Sequence, residues 1–209
     1  MENELLEILK KVKALYIKYG IKSITMDDVA RELGISKKTL YQYVQNKDEL
    51  VEKVVDLHQA EQDVFFEKIK SKKLNAIQSL LWVNKLISKM MEDYNPSVEF
   101  DLKKYHSSVF RKIKERGQKK MFDSVLDNII QGKKEGLYRS NINETLIAKM
   151  YVLRVEMMME SDVISRDEMR DPENIGQILE YHIRGIASEK GIKEYEEYKK
   201  YLDNANNTL

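Results

Sequence analysis

Apolar residues recur at intervals of three and four positions along most of the chain, which is the period of amphipathic α-helices. The N-terminal third shows this period most clearly, with breaks at glycines and at capping residues. It predicts four helices: one that ends near Gly20, one from Thr25 to Gly34, a short one from Ser36 to about Val44, and a long one from Asn46 to beyond Ile69. Thr25 with Asp28, and Asn46 with Glu49, have the spacing of N-terminal capping pairs.

After Lys73 the apolar residues cover more than one side of each predicted helix, which is typical of helices buried on several sides. The boundaries predicted here are a stop at Asn95-Pro96, an N-cap at Asn141 with Glu144, a start at Asp171-Pro172 and a stop at Gly191 before a tyrosine-rich helical tail. No strand-like alternation of useful length and no internal repeat occur. We therefore predict an all-α protein of nine or ten helices.

Two of the short helices form a helix-turn-helix pattern between residues 25 and 50, where the sequence reads TMDDVARELGISKKTLYQYVQNKDEL. Gly34 suits the tight turn, and Ser36 is the expected N-cap of the second helix. Leu40 and Val44 are expected to anchor that helix in the core. The side chains left pointing outward are then Lys37, Lys38, Thr39, Gln42 and Tyr43. A positive, hydrogen-bonding helix start is what the major groove of DNA can accept.

This segment resembles the DNA-binding domain of the TetR family of transcriptional regulators. The matching residues are Thr25, Val29-Ala30, Leu33-Gly34-Ile35-Ser36, Thr39-Leu40-Tyr41, Tyr43, Lys47 and Leu50. A weaker similarity continues in the stretch from Gly132 to Arg139 and at Gly185. The resemblance implies a helix-turn-helix domain at residues 1–48 and a helical effector-binding and dimerisation domain at residues 49–209.

The resemblance also implies a DNA-binding site. Its expected members are Thr25, Ser36, Lys37, Lys38, Thr39, Tyr41, Tyr43 and Lys47. Thr25, Tyr41 and Lys47 would contact backbone phosphates. Lys37, Lys38 and Thr39 would reach base edges, and Tyr43 would contact the backbone or a thymine methyl group. Asp27 departs from the family pattern, because some members have a basic base-reading residue there, and we leave it out of the site. Taken singly, the lysines also fit a solvated helix face, and Thr25 and Ser36 fit a purely capping role.

The net charge of +1 hides an uneven distribution. Residues 1–48 carry 9 Lys and Arg against 7 acids, and residues 36–47 carry three lysines and no acid. A second basic run, Lys103 to Lys120, has 8 Lys and Arg against Glu115 alone. A solvated helix face explains that run, and contact with an anionic ligand or with flanking DNA is the alternative.

For the larger domain, the resemblance implies a pocket for a small-molecule effector and a homodimer interface formed by the last two long helices. The candidate effector-binding residues are Glu61, Trp82, Leu86, Tyr105, Phe110, Tyr151, Arg154 and Met158. Ordinary core packing is the alternative for each of them, and Arg154 could instead pair with Glu61. Two apolar stripes in residues 143–160 indicate burial on two sides.

Other classes of function find little support. The chain has no cysteine, which excludes disulfides, cysteine-ligated zinc and iron–sulfur clusters and suits a reducing cytoplasm. It has no HExxH, P-loop or dinucleotide-binding motif, and its three histidines are scattered. We therefore expect no enzyme activity, no cofactor, no metal and no membrane span. The expected function is that of a repressor released from a pseudo-palindromic operator by a small molecule, and the alternatives are a dimeric helical adaptor and an unrecognised enzyme.

Overall fold

The computed structural model describes residues 2–92, 95–160 and 163–206, and these residues form eleven α-helices. The helices are α1 (Glu2–Tyr19), α2 (Met26–Leu33), α3 (Lys37–Leu40), α4 (Lys47–Lys70), α5 (Ala76–Glu92), α6 (Pro96–Tyr105), α7 (Ser107–Lys134), α8 (Glu144–Glu160), α9 (Arg166–Arg170), α10 (Pro172–Ile186) and α11 (Glu189–Asn206). The all-α class is confirmed. An isolated bridge between Tyr138 and Ala187 is the only β pairing among the described residues.

The chain divides into two compact units. The first unit comprises Met1–Phe65 and Asn95–Arg116, and the second comprises Phe66–Tyr94 and Gly117–Leu209. The first unit therefore contains α6 and the start of α7 in addition to the helix-turn-helix. The functional boundary between residues 48 and 49 stays a prediction.

The core of the first unit forms around α1 and the helix-turn-helix. Val12, Val29, Leu40, Leu50 and Val51 have no exposed surface or almost none. Leu40 and Val44 lie in this core, as the sequence pattern predicts, and Leu102 of α6 and Val109 of α7 pack with them. Burial of several aliphatic side chains of this size, each contributing about 2 kcal/mol, fixes α3 against its neighbours.

The second unit has its main core between α5, α10 and α11. Ile77 and Ile183 are fully buried, and Tyr195 is 2% exposed. A smaller cluster joins Ile129 of α7 to Ala148 of α8. The apolar residues on several sides of α5 are thus explained by burial against two other helices.

Three predicted helix boundaries are wrong. The second helix of the helix-turn-helix, α3, ends at Leu40 and is followed by a turn, whereas the sequence predicts a helix to about Val44. The first turn of α8 is capped by Asn143, whose Oδ1 accepts the N–H of Leu146 at 2.9 Å, and not by Asn141.

The third error concerns Gly191, which lies inside α11 and does not end a helix. The break comes earlier, at Ala187, whose backbone is extended. Ser188 then caps the start of α11, because its Oγ accepts the N–H of Gly191 at 3.2 Å.

None of the helices in the described parts of the chain is long and apolar enough to cross a membrane.

Candidate nucleic-acid interface

The start of α2 is fixed by a reciprocal capping box, as predicted. The Thr25 Oγ1 accepts the N–H of Asp28 at 3.1 Å, and the Asp28 carboxylate accepts the N–H of Thr25 at 3.0 Å. The Thr25 hydroxyl also donates to the Asp28 carboxylate at 2.6 Å, and this hydrogen bond, together with the one from the Thr25 N–H, holds the pKa of Asp28 below its usual value. Gly34, with φ of +68°, ends α2 in the left-handed region that glycine adopts without strain. Thr25 therefore lies exposed at a rigid helix N-terminus.

The start of α3 presents polar and positive groups to solvent. The Ser36 Oγ accepts the N–H of Thr39 at 3.0 Å and lies 2.7 Å from the Thr39 hydroxyl. Lys37 and Lys38 follow on the exposed side. A helix N-terminus carries a partial positive charge, which the two lysines reinforce. This end of α3 is suited to hydrogen-bond acceptors on DNA.

Lys37 has a partner within the helix-turn-helix. Its Nζ lies 2.9 Å from Oδ1 of Asp27 in the first turn of α2, and both side chains are at least half exposed. The hydrogen bond from Lys37 to Asp27 raises the pKa of the lysine. Asp27, which departs from the family pattern, thus forms an ion pair with Lys37, which is expected to reach base edges.

The two predicted tyrosine contacts differ in their surroundings. Tyr41 is 43% exposed. Tyr43 packs partly against the core of the first unit, and a hydrogen bond with Glu4 raises the pKa of its hydroxyl. Tyr41 is therefore available to a phosphate without rearrangement, whereas Tyr43 is also engaged with α1.

Lys47, the first residue of α4, is partly buried by the turn between α1 and α2. Its Nζ donates to the carbonyl oxygen of Ile21 at 2.7 Å and to that of Lys22 at 3.3 Å. Burial lowers the pKa of Lys47, and the nearby Asp101 partly offsets that effect. Lys47, which is predicted to contact a phosphate, thus also holds the turn between α1 and α2 in place.

Helix α6 contributes polar contacts to this region that sequence reasoning missed. The carboxylate of Asp101 accepts the backbone N–H of Lys22 at 2.8 Å, and the buried His106 lies 2.5 Å from Asp48 in the first turn of α4. A signal was present, since Asp101 and His106 fall on the same helix face as Val98 and Leu102. Polar residues on an apolar face indicate a specific buried contact.

The candidate effector-binding residues are divided between the units. Glu61, Tyr105 and Phe110 lie in the first unit, and Trp82, Leu86, Tyr151, Arg154 and Met158 lie in the second. Glu61 pairs with Lys13. Trp82 donates its indole N–H to the Tyr198 hydroxyl at 3.0 Å.

Of the candidate residues in the second unit, Tyr151 and Arg154 lie in direct contact. The guanidinium carbon of Arg154 lies 4.9 Å from the centre of the Tyr151 ring. The Tyr151 ring also meets the ring of the buried His182 edge-on, with 4.9 Å between ring centres. Burial, together with the Arg154 charge, lowers the pKa of His182 to about 4. The Nε of Arg154 is buried and has no hydrogen-bond partner among the residues that the structure describes.

No group of three or more acidic, histidine or cysteine side chains with metal-binding geometry occurs within residues 2–92, 95–160 and 163–206.

Comparison with known proteins decides the family. Residues 8–54 match the family model for "Bacterial regulatory proteins, tetR family". The chain belongs to the TetR family. As a member of this family it is a DNA-binding transcriptional regulator with a helix-turn-helix, and it is not an enzyme.

Relatives of this TetR-family chain cover nearly its whole length. It is 28% identical over 173 residues to the HTH-type transcriptional regulator YvaF of Bacillus subtilis, covering 80% of this chain and 88% of YvaF. A transcriptional regulator from Cytophaga hutchinsonii superposes with a TM-score of 0.72 at 23% identity, over 88% of this chain and 99% of the other. A regulator from Saccharomonospora viridis, solved in complex with choline, gives 0.64 at 16%, over 90% and 100%. The two structures show that the fold is shared.

Proposed function

We propose that this TetR-family chain is a homodimeric repressor that leaves a pseudo-palindromic operator when a small molecule binds its second unit. The observation that carries the proposal is the exposed N-terminal end of α3, where Ser36, Lys37 and Lys38 precede Thr39 on a TetR-type helix-turn-helix. Two such ends, related by a two-fold axis, fit two half-sites about 34–36 Å apart.

The surroundings of the candidate DNA-binding residues support the roles expected of them. Lys37 and Lys38 have the exposure needed to reach base edges, and the arrangement of Thr39 beside Ser36 supports hydrogen bonds at the start of α3. Thr25 and Tyr41 are exposed at positions suited to phosphate oxygens. Lys47 would exchange two carbonyl oxygens for a phosphate at the N-terminus of α4.

An exposed apolar stripe on α8 supports the homodimer. Leu146, Met150, Leu153 and Met157 follow helical spacing and are each between 54% and 64% exposed. On α10, Tyr181 is 78% exposed, and a Cβ at Gly185 would meet no atom within 4 Å. Apolar side chains that continue along one helix face mark an interaction site. We therefore propose that α8 and α10 pair with the same helices of a second copy.

The contact between Arg154 and Tyr151 supports an effector site in the second unit. The buried Nε of Arg154 needs a hydrogen-bond acceptor, because an unsatisfied buried donor costs about 1–3 kcal/mol. An effector that carries a carboxylate or another strong acceptor would supply it, with the Tyr151 ring as an apolar wall. The guanidinium disfavours a cationic ligand, so choline is not carried over from the structural neighbour.

A DNA partner implies action in the cytoplasm, and transcription in vitro tests the regulatory direction. The template carries an operator, obtained by selection from genomic fragments, that overlaps a promoter. We expect added protein to lower transcript yield, and the same template with one half-site scrambled to be unaffected. Increased yield on the intact template would overturn repression and indicate an activator. Unchanged yield despite operator binding would favour a different role, such as an adaptor.

A further inference from the structure

The C-terminal end of α6 carries exposed aromatic rings with lysines above them. Tyr105 is 39% exposed and Phe100 is 56% exposed. The Nζ of Lys22 lies 4.7 Å from the centre of the Tyr105 ring, and that of Lys104 lies 5.5 Å from the same centre. Two ammonium groups therefore converge on one ring, although their residues lie more than 80 positions apart in the chain.

This lysine pair lies beside Lys47, which is predicted to contact a phosphate. The backbone N–H of Lys22 is held by Asp101 of α6 at 2.8 Å, and the carbonyl oxygen of Lys22 accepts from Lys47 at 3.3 Å. The same short turn therefore joins the end of α6 to the first residue of α4. Lys22 thus contacts Lys47 through its backbone and shares the Tyr105 ring with Lys104 through its side chain.

Lys22 and Lys104 differ from three cations of the basic run between Lys103 and Lys120. Lys103 pairs with Glu99 at 2.7 Å, Lys112 pairs with Glu52 at 2.7 Å, and Arg116 pairs with Asp56 at 2.8 Å. In the described part of the chain, no carboxylate lies within 4.0 Å of the ammonium group of Lys22 or of Lys104. The acid that acts on Lys22 is Asp101, whose carboxylate already accepts the Lys22 N–H. The positive charge at Tyr105 is thus not neutralised by an ion pair.

We propose that Lys22 and Lys104, gathered on Tyr105, bind backbone phosphates of DNA that flanks the bases contacted by α3. The proposal rests on the operator binding proposed above and adds α6 to the DNA interface. Lysine suits this role, because a mobile ammonium group binds phosphate without a fixed geometry. The Tyr105 ring attracts both ammonium groups and so holds them close to each other. These contacts position the protein on the duplex and carry no base preference.

The salt dependence of DNA binding tests this directly. Affinity for the selected operator, embedded in a 40-base-pair duplex, is measured by fluorescence anisotropy over a range of KCl concentrations for the full chain and for Lys104→Ala and Lys22→Ala. Each phosphate contact adds about 0.9 to the salt slope. Because a dimer contains two copies, we expect each variant to lower the slope by about 1.8, with the same proportional loss on operators of different sequence.

Lys103→Ala is the matched control, because it removes the adjacent charge that already pairs with Glu99. We expect its slope to equal that of the unaltered chain, and Lys104→Arg to restore the slope lost in Lys104→Ala. Trimming the duplex to the contacted bases should abolish the difference between Lys104→Ala and the unaltered chain. Thermal unfolding of each variant checks that the fold is kept.

Unchanged slopes for both alanine variants, or an equal loss in Lys103→Ala, would overturn the phosphate contacts while leaving operator binding intact. If the unaltered chain itself selects no DNA, the proposed function fails together with this inference.

Discussion

Lys37 Nζ lies 2.9 Å from Asp27 Oδ1, so an expected base-reading lysine is paired with an acid of the same helix-turn-helix. Both side chains are exposed, and pairs of this kind contribute at most about 1 kcal/mol to stability. We therefore expect the pair to affect DNA recognition more than folding. It holds Lys37 close to α2 and places a negative charge near the expected phosphates.

Replacing Asp27 by Asn tests this relationship. We expect Asp27→Asn to bind random-sequence duplex DNA about three- to tenfold more tightly at low salt, because the change frees Lys37 and removes an acid from the interface. Anisotropy titrations measure this, with Glu32→Gln as the control for the loss of one exposed acid elsewhere on α2. Equal gains in the two variants would show that only overall charge matters and that the pair has no specific effect.

The close approach of α11 to a carbonyl oxygen yields a prediction about stability. A Cβ at Gly191 would lie 2.0 Å from the Leu137 carbonyl oxygen, whereas a Cβ at Gly117 of α7 would meet no atom within 4 Å. We expect Gly191→Ala to lower the free energy of unfolding by about 3 kcal/mol and Gly117→Ala to raise it by about 0.5–1 kcal/mol. Denaturant unfolding measures both. A Gly191→Ala protein as stable as the unaltered chain would contradict the close approach of Gly191 to the Leu137 carbonyl oxygen.

The apolar stripe on α8 yields a prediction about assembly. Leu153→Glu places a charge in the centre of the proposed interface, where burial without a partner costs several kcal/mol. We expect this variant to be monomeric at concentrations where the unaltered chain is dimeric, as determined by analytical ultracentrifugation. Val64→Glu, at an exposed position on α4, is the control and should remain dimeric. A dimeric Leu153→Glu protein would place the interface elsewhere.

His182 yields a prediction about pH. Its pKa is about 4 in the folded protein, compared with 6.5 for an unperturbed histidine, so below pH 6.5 the unfolded chain binds a proton that the folded chain does not. Stability is therefore complete above pH 6.5 and falls as pH decreases towards 4. The slope contributed by one such group is at most about 1.4 kcal/mol per pH unit.

We expect His182→Phe, which keeps a ring against Tyr151, to have a smaller loss of stability between pH 6.5 and pH 5 than the unaltered chain. Denaturant unfolding at several pH values measures this difference. Identical pH profiles for the two proteins would show that His182 does not remain neutral in the fold.

Local patterns account for the parts of the fold that the sequence predicts correctly. The capping box at Thr25, the N-cap at Ser36 and the buried Leu40 all depend on residues within a few positions of each other. Such contacts can be identified from the types of residues a few positions apart in the chain. The all-α class and the helix-turn-helix followed from them.

Long-range contacts account for the parts that sequence reasoning missed. Asp101 holds Lys22 from 79 positions away, and no local pattern identifies that partner. The sequence predicts a helix stop at Gly191 because glycine often ends helices. Its actual role is to let α11 approach Leu137, which becomes visible only when the two segments are packed together.

Selection of DNA by the purified full chain tests the proposed regulator most directly. Genomic fragments are captured by the protein, sequenced, and compared with fragments captured by Lys37→Ala. We expect the unaltered chain to enrich a pseudo-palindrome whose half-sites are about 10 base pairs apart, and Lys37→Ala to enrich a site with a relaxed preference within each half. Failure of the unaltered chain to enrich any sequence above random fragments would contradict sequence-specific operator binding.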